Sequence, residues 1–167
     1  MQETTATDRD APVHFEVRAV HLDDPLVEPL LRELTEEYAA RYGERGRAEM
    51  TQYAEEEFRP PDGLLLLLLE DGAPVAGGAF RRYDAETAEF KRMWTHSAHR
   101  RRGLARRTLA ELERAAGEAG YRRVHLTTGP RQPEAKQLYL ATGYTALFDV
   151  AADPLTIGLL PFEKQLV

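Results

Sequence analysis

The sequence predicts an α/β domain of the α+β kind, built on a mixed, mostly antiparallel sheet of six to seven strands with helices on both faces. Three observations carry this. Short apolar stretches with strand character alternate with longer stretches of helical period. A strand–helix–strand unit at 88–128 calls for a parallel pair with a right-handed crossover. The strands just before it are joined by short turns, as in antiparallel hairpins.

The elements follow in order. Residues 1–13 are polar and acidic and read as a flexible tail, leaving 14–167 as a single domain. His14–Val20 alternates Phe15, Val17 and Ala19 with Glu16 and Arg18, the pattern of a half-buried strand. Asp23, Asp24 and Pro25 start a helix whose Leu26, Leu30, Leu31, Leu34, Tyr38 and Tyr42 recur at helical spacing up to Gly43. Ala48–Phe58 reads as a second, weaker helix, stopped by Pro60-Pro61-Asp62-Gly63. Leu64–Leu69 is uniformly apolar, as a strand covered on both faces would be.

After the turn Glu70-Asp71-Gly72 comes a strand at Pro74–Arg82, with Gly77-Gly78 marking a bulge or a close backbone approach. Ala88–Thr95 is the next strand. Gly103–Ala119 is the strongest helix, with a stripe of Leu104, Leu109, Leu112 and Ala116, and Gly120 closes it. Val124–Thr128 is a strand, Glu134–Thr142 a helix, and Tyr144–Val150 and Ile157–Leu166 two last strands.

Composition narrows the function. The chain has 167 residues, 43% apolar and 30% charged, with no cysteine and a net charge of −6. That excludes disulfides, thiolate metal sites and a cysteine nucleophile. The longest apolar run, Leu64–Leu69, is far too short to span a membrane, and no secretory signal opens the chain, so a cytoplasmic location is expected. The charge is uneven. Residues 89–123 hold ten cationic and four anionic side chains, a local +6, against −12 for the rest. A basic island in an acidic chain points to a local anionic ligand, and the acidic remainder argues against nucleic acid.

The island centres on Arg100-Arg101-Arg102-Gly103-Leu104-Ala105, at the junction of a strand and the long helix. Glycine at a helix start allows close approach to the backbone, and first-turn N–H groups carry the positive end of the dipole. Together they form an anion site suited to a phosphate or pyrophosphate, with Arg106 and Arg107 adding charge. Neither the P-loop pattern nor the dinucleotide Gly-x-Gly-x-x-Gly pattern is present.

Arg100-Arg101-Arg102-Gly103-Leu104-Ala105 resembles the Arg/Gln-x-x-Gly-x-Gly/Ala motif of the GNAT superfamily of acyl-CoA N-acyltransferases. A second segment matches too: Gln132-Pro133-Glu134-Ala135, then Leu138-Tyr139 and Gly143-Tyr144, resembles Asn/Gln-x-x-Ala-x-x-Leu-Tyr-x-x-x-Gly-Phe/Tyr. The chain departs from the common pattern with Thr95 in place of Val, Ala105 in place of Gly and Gln132 in place of Asn.

The resemblance implies the GNAT fold, in which the fourth and fifth strands splay and acetyl-CoA lies between them. It also implies direct transfer of acetyl to a primary amine of a small molecule or peptide. Arg100, Arg101, Arg102, Gly103, Leu104, Ala105 and Arg106 would hold the pyrophosphate. Trp94 and Thr95 would offer backbone groups to the pantetheine and the reacting carbonyl, and Gln132 would hydrogen-bond an amide. Tyr139 matches the family's proton donor to the leaving thiolate, and Glu89 is the candidate general base, acting through water. The alternative for Glu89 is an ion pair with Lys91 or Arg82.

No metal is expected, since the histidines lack ligand spacing. The acceptor would lie against the first helices, where Glu36, Glu37, Glu44, Glu55, Glu56 and Glu57 could either face a cationic amine or form a solvated surface. A homodimer is left open. The competing function is a non-catalytic acyl-CoA-binding regulatory domain with the same fold.

Overall fold

The computed structural model describes residues 13–166, so the expected tail at 1–13 lies outside the described residues except for Val13. A seven-stranded sheet runs in the order β1-β2-β3-β4-β5-β7-β6. Its strands are β1 (Phe15–Val20), β2 (Leu64–Glu70), β3 (Ala73–Arg82), β4 (Thr87–Thr95), β5 (Arg123–Thr128), β6 (Thr145–Ala146) and β7 (Leu160–Gln165). The helices are α1 (Glu28–Tyr42), α2 (Glu44–Glu49), α3 (Leu104–Glu118), α4 (Pro133–Ala141) and α5 (Pro154–Ile157). Every neighbouring pair is antiparallel except β4–β5, which are parallel and joined through α3. Among the described residues no helix is long and apolar enough to cross a membrane.

The leucine run on β2 explains the layering. Leu65, Leu67 and Leu69 are buried with Leu30, Leu34, Phe58 and Trp94, beneath α1. Leu66, one step out of phase, is buried with Phe80, Phe90, Leu109 and Leu112, beneath α3. Strand side chains alternate between faces, so a strand at the centre of a three-layer domain must be apolar at every position.

Three expectations are corrected. The helix expected at Ala48–Phe58 is instead the short α2, ending at Glu49, and a 3₁₀ turn at Glu55–Phe58. Phe58 is the residue buried there, and the glutamates before it turn to arginines. The strand expected at Tyr144–Val150 shrinks to Thr145–Ala146, pairing only with Glu163 and Phe162 at the sheet edge. The strand expected from Ile157 begins at Leu160, because Asp153 caps the short α5 by accepting from the Leu155 N–H.

Two irregularities position the site. Strands β4 and β5 pair only at Thr87↔Arg123, Ala88↔Val124 and Glu89↔His125, after which β4 runs on to Thr95 without a β5 partner. The β3–β4 register also shifts between Gly77↔Trp94 and Ala79↔Lys91, so one residue of β3 faces two of β4. The extra residue is Arg92, which adopts φ 60°. That is a bulge with its first residue in the left-handed region. Gly78 lies opposite, where an added Cβ would fall 2.7 Å from Leu112 Cδ1 and 2.8 Å from Met93 Sδ.

Gly77 is less forgiving, since a Cβ there would sit 2.8 Å from the backbone carbonyl oxygen of Leu66. A backbone atom cannot rotate away, so Gly77→Ala should destabilise the fold by about 1–3 kcal/mol. A urea midpoint equal to that of the wild-type chain would refute this.

Candidate active site

The loop between β4 and α3 is built to present N–H groups. His96 caps a 3₁₀ turn at Ser97–His99 by accepting from the Ala98 N–H through Nδ1. Arg101 and Gly103 then take φ 64° and 74°. Gly103 is the N-cap of α3, and no side chain caps the helix. Arg107 is the first residue whose N–H finds a carbonyl, that of Gly103 at 3.2 Å. The N–H groups of Gly103, Leu104, Ala105 and Arg106 therefore have no internal acceptor among the described residues. They sit at the positive end of a fifteen-residue helix. A Cβ on Gly103 would meet no atom within 4 Å, so glycine is required there by its φ rather than by crowding.

The arginines around this loop divide. Arg100, Arg101 and Arg106 are exposed, and none forms an ion pair among the described residues. Arg102 is committed elsewhere: its Nη1 lies 2.7 Å from Glu70 Oε2 and 2.8 Å from His99 Nδ1. Leu104 is buried under the loop with Leu68, Val75 and Ala76 and serves as its anchor.

The edge of β4 facing the gap supplies more polar backbone. The His96 N–H donates to Val75 O at 2.8 Å, on the β3 side. Backbone direction alternates along a strand, so the N–H and C=O of Thr95 face the opposite side, toward the gap. Trp94 is buried, and its indole N–H donates to Glu33 Oε1 at 2.9 Å. Glu33 also accepts from the Ser97 N–H and hydroxyl. Burial opposes ionisation of Glu33, but the bonds from Ser97 and Trp94 outweigh it and hold the carboxyl below its usual range.

Across the gap, Tyr139 of α4 is 5% exposed, and its hydroxyl makes no hydrogen bond among the described residues. It is not one of the sealed, unpartnered polar atoms, so it keeps some contact with solvent, while its ring packs against Tyr144 and Phe162. Burial, reinforced by nearby Tyr38, pushes its phenol well above the ordinary tyrosine value. Tyr38 itself, on α1, is pushed up to about 12 by burial, against the pull of Arg92. Gln132 precedes α4, and its Oε1 accepts from the Gly129 N–H at 3.1 Å and the Tyr42 hydroxyl at 3.2 Å.

Glu89 lies at the last β4–β5 pair, 6% exposed. Its Oε1 is 2.9 Å from Arg81 Nη1 and 4.0 Å from Lys91 Nζ. The cation from the neighbouring strand is thus Arg81, not Arg82, because Arg81 is the residue in register with Glu89. Arg81 and Lys91 also bind Glu57 and Glu49, and both cations lie over the Tyr53 ring. Four of the acids expected to line the acceptor side are matched by arginines: Glu37 by Arg41, Glu44 by Arg47, Glu55 by Arg59 and Glu57 by Arg81. A surface concavity of about 560 Å³ beside Leu22, Asp24 and Glu28 reaches Glu36 but none of Tyr139, Gln132, Glu89 or the 103–106 loop.

Thr95 and the free N–H groups of 103–106 thus lie on the β4 side of the gap, and Gln132 and Tyr139 follow β5 on the other. Sequence reading missed Tyr38, Tyr42, Glu33, Arg81 and Arg92. Only the helical spacing of Tyr38 and Tyr42 hinted that α1 would face the gap.

Comparison with known proteins bears on the family and the fold. A family model described as the acetyltransferase (GNAT) family matches residues 27–144. The uncharacterized N-acetyltransferase YsnE of Bacillus subtilis is 34% identical over 77 residues, which is 44% of this chain and 51% of that relative. The match thus spans about half the length of that relative. Among solved structures, the PaiA N-acetyltransferase of Thermoplasma acidophilum, in complex with coenzyme A, superposes with a TM-score of 0.69 at 17% identity. The alignment covers 91% of this chain and 99% of that one. An acetyltransferase of Streptococcus agalactiae gives 0.69 at 18% identity, over 90% and 98%. At such identities the likeness is one of fold.

The folded state holds the phenol protons of Tyr139 and Tyr144 more tightly than the unfolded chain does. Stability from that source is complete below about pH 10 and lost above it. In an alkaline absorbance titration, Tyr139→Phe should leave the first tyrosine transition, near pH ~10, undiminished. Loss of one tyrosine's amplitude from that transition would contradict the burial.

Proposed function

The chain belongs to the acetyltransferase (GNAT) family, and from that premise we propose that it transfers the acetyl group of acetyl-CoA directly to a primary amine of a small molecule or peptide. The observation that carries this reading is the row of unbonded N–H groups at 103–106, in the loop beyond the unpaired end of β4. Four aligned donors at a helix N-terminus suit a pyrophosphate, and Arg100, Arg101 and Arg106 add charge beside it. The coenzyme A complex of the Thermoplasma PaiA protein, which shares the fold, supports the same ligand here.

The residues then divide the chemistry. The open edge of β4 up to Thr95 pairs with the amides of the pantetheine as a further strand would. The Thr95 N–H receives the thioester oxygen as negative charge builds on it. Gln132 reaches the pantetheine with its amide NH₂, since its carbonyl is already engaged. The amine nitrogen bonds to the acetyl carbon and the carbon–sulfur bond breaks. Tyr139, neutral because it is buried, donates its proton to the departing sulfur. Glu89 takes the proton released by the amine, through water, and solvent restores the tyrosine proton. The absence of cysteine leaves no thiol to carry the acetyl group, consistent with a single direct transfer.

Glu89's two cationic neighbours favour the second reading, a non-catalytic acyl-CoA-binding domain, because a carboxylate engaged by Arg81 and Lys91 is a weaker base. Thiol release from acetyl-CoA over a panel of amines separates the two. Release with at least one amine supports transfer, and acetyl-CoA binding without release supports the binding domain.

Two substitutions test the assignments. Tyr139→Phe should lower kcat by roughly 10²-fold or more while leaving acetyl-CoA affinity near that of the wild type. Unchanged kcat would remove Tyr139 as the donor. Gly103→Glu should abolish measurable acetyl-CoA binding by calorimetry, because it sets a carboxylate among the four N–H groups. Wild-type affinity in that variant would move the pyrophosphate elsewhere.

A further inference from the structure

Arg92 has no part in the chemistry described so far, and it is only 4% exposed. As the bulge residue, it shares a face of β4 with Lys91, Glu89 and Trp94, the side covered by α1, α2 and the turn at Phe58. Its charge is unmatched. The nearby carboxylates are taken: Glu49 and Glu89 by Lys91, Glu57 and Glu89 by Arg81. No carboxylate lies within 4.0 Å of Arg92 among the described residues. One bond holds it, from Nη2 to the Glu49 carbonyl at 3.0 Å.

The Nε and Nη1 donors of Arg92 find no acceptor among the described residues. They are also not among the sealed, unpartnered atoms, which are Arg59 Nε, Thr87 Oγ1, Arg123 Nε and Tyr144 OH. Both donors therefore keep some contact with solvent while lacking a protein acceptor. A guanidinium withdrawn from water without a counter-ion is costly, and the cost falls when an anion arrives. Its planar fork fits a carboxylate through two parallel bonds.

We propose that Arg92 binds a carboxylate of the acceptor, so that the amine substrate is an amino acid or another amino carboxylate. The proposal rests on the acetyl-transfer reading for its reaction but not for its binding step. Glu89 lies on the same face of the strand, so the carboxylate would be held by Arg92 with the amine toward Glu89 and the gap.

The test pairs each common amino acid with its carboxamide and adds O-phosphoethanolamine as the competing anion. Binding is read by calorimetry on the full chain with coenzyme A present, and transfer by thiol release. Wild-type protein should bind at least one carboxylate and prefer it over its carboxamide by roughly 10- to 100-fold, as charged hydrogen bonds imply. Arg92→Gln should erase that preference, raising the KM of the carboxylate by a similar factor without altering acetyl-CoA affinity. Arg92→Lys should fall between.

Equal binding of the two members of every pair by the wild-type chain overturns the proposal, whether or not the variants fold. So does the absence of any carboxylate ligand, tighter binding of O-phosphoethanolamine, or an equal loss for both members in Arg92→Gln. If carboxylates bind through Arg92 but no acetyl is transferred, the acetyl-transfer reading fails while the Arg92 assignment stands.

Discussion

Strands β4 and β5 share three residue pairs and then part, and the rest of the molecule is arranged around that separation. Backbone N–H and C=O groups must find partners wherever water is excluded. A central strand with one open side presents a row of such groups inside the domain. Here the row ends at Thr95, and the loop beyond it turns four further N–H groups outward at the start of α3. Strand edge and helix end are thus consecutive stretches of one chain. They form a continuous track of donors long enough for an extended molecule with amides at one end and phosphates at the other.

α1 holds the two sides of the gap in place. Through Glu33 it receives bonds from the Trp94 indole and from Ser97, on the β4 side. One helix end later, Tyr42 donates to Gln132, and Arg41 donates to the Arg131 carbonyl, on the β5 side. Leu30 and Leu34 fix the same helix to the sheet through burial. The helix that reads in sequence as an ordinary amphipathic segment therefore sets the width of the site.

What sequence could show follows from how local each cause is. The leucines of β2 declare burial on both faces because every residue in the run is apolar. Gly103 with its arginines declares an anion site because a left-handed N-cap and a positive helix end are local properties. The bulge at Arg92 left no such mark, since a non-glycine residue with φ 60° is imposed by the register against β3. Choosing Arg81 over Arg82 as the partner of Glu89 likewise depends on cross-strand register. The glutamates of the 44–57 region suggested an acidic wall, although Arg47 and Arg59 neutralise Glu44 and Glu55 locally; the Arg81 partner of Glu57 comes from a distant strand. Strand β6 stops at Ala146 because Leu147 still donates to the Pro161 carbonyl, but proline has no N–H to return the bond.

The narrow β4–β5 junction also has a mechanical meaning. Seven strands hydrogen-bonded along their full length would move as one plate. Here the plate is cut along most of one seam, leaving β1–β4 and β5–β7 joined at Thr87–Glu89 and bridged by α1. The uncut end holds the halves by strand pairing, and α1 crosses the mouth as a strut. Under α3 one apolar core still joins the halves, Phe80 and Phe90 with Leu126, Tyr139 and Phe162, and the polar bonds at the ends of the strut add to it. The bonds at Glu33 and at Tyr42 thus tie the two halves at the end of the seam where the strands do not.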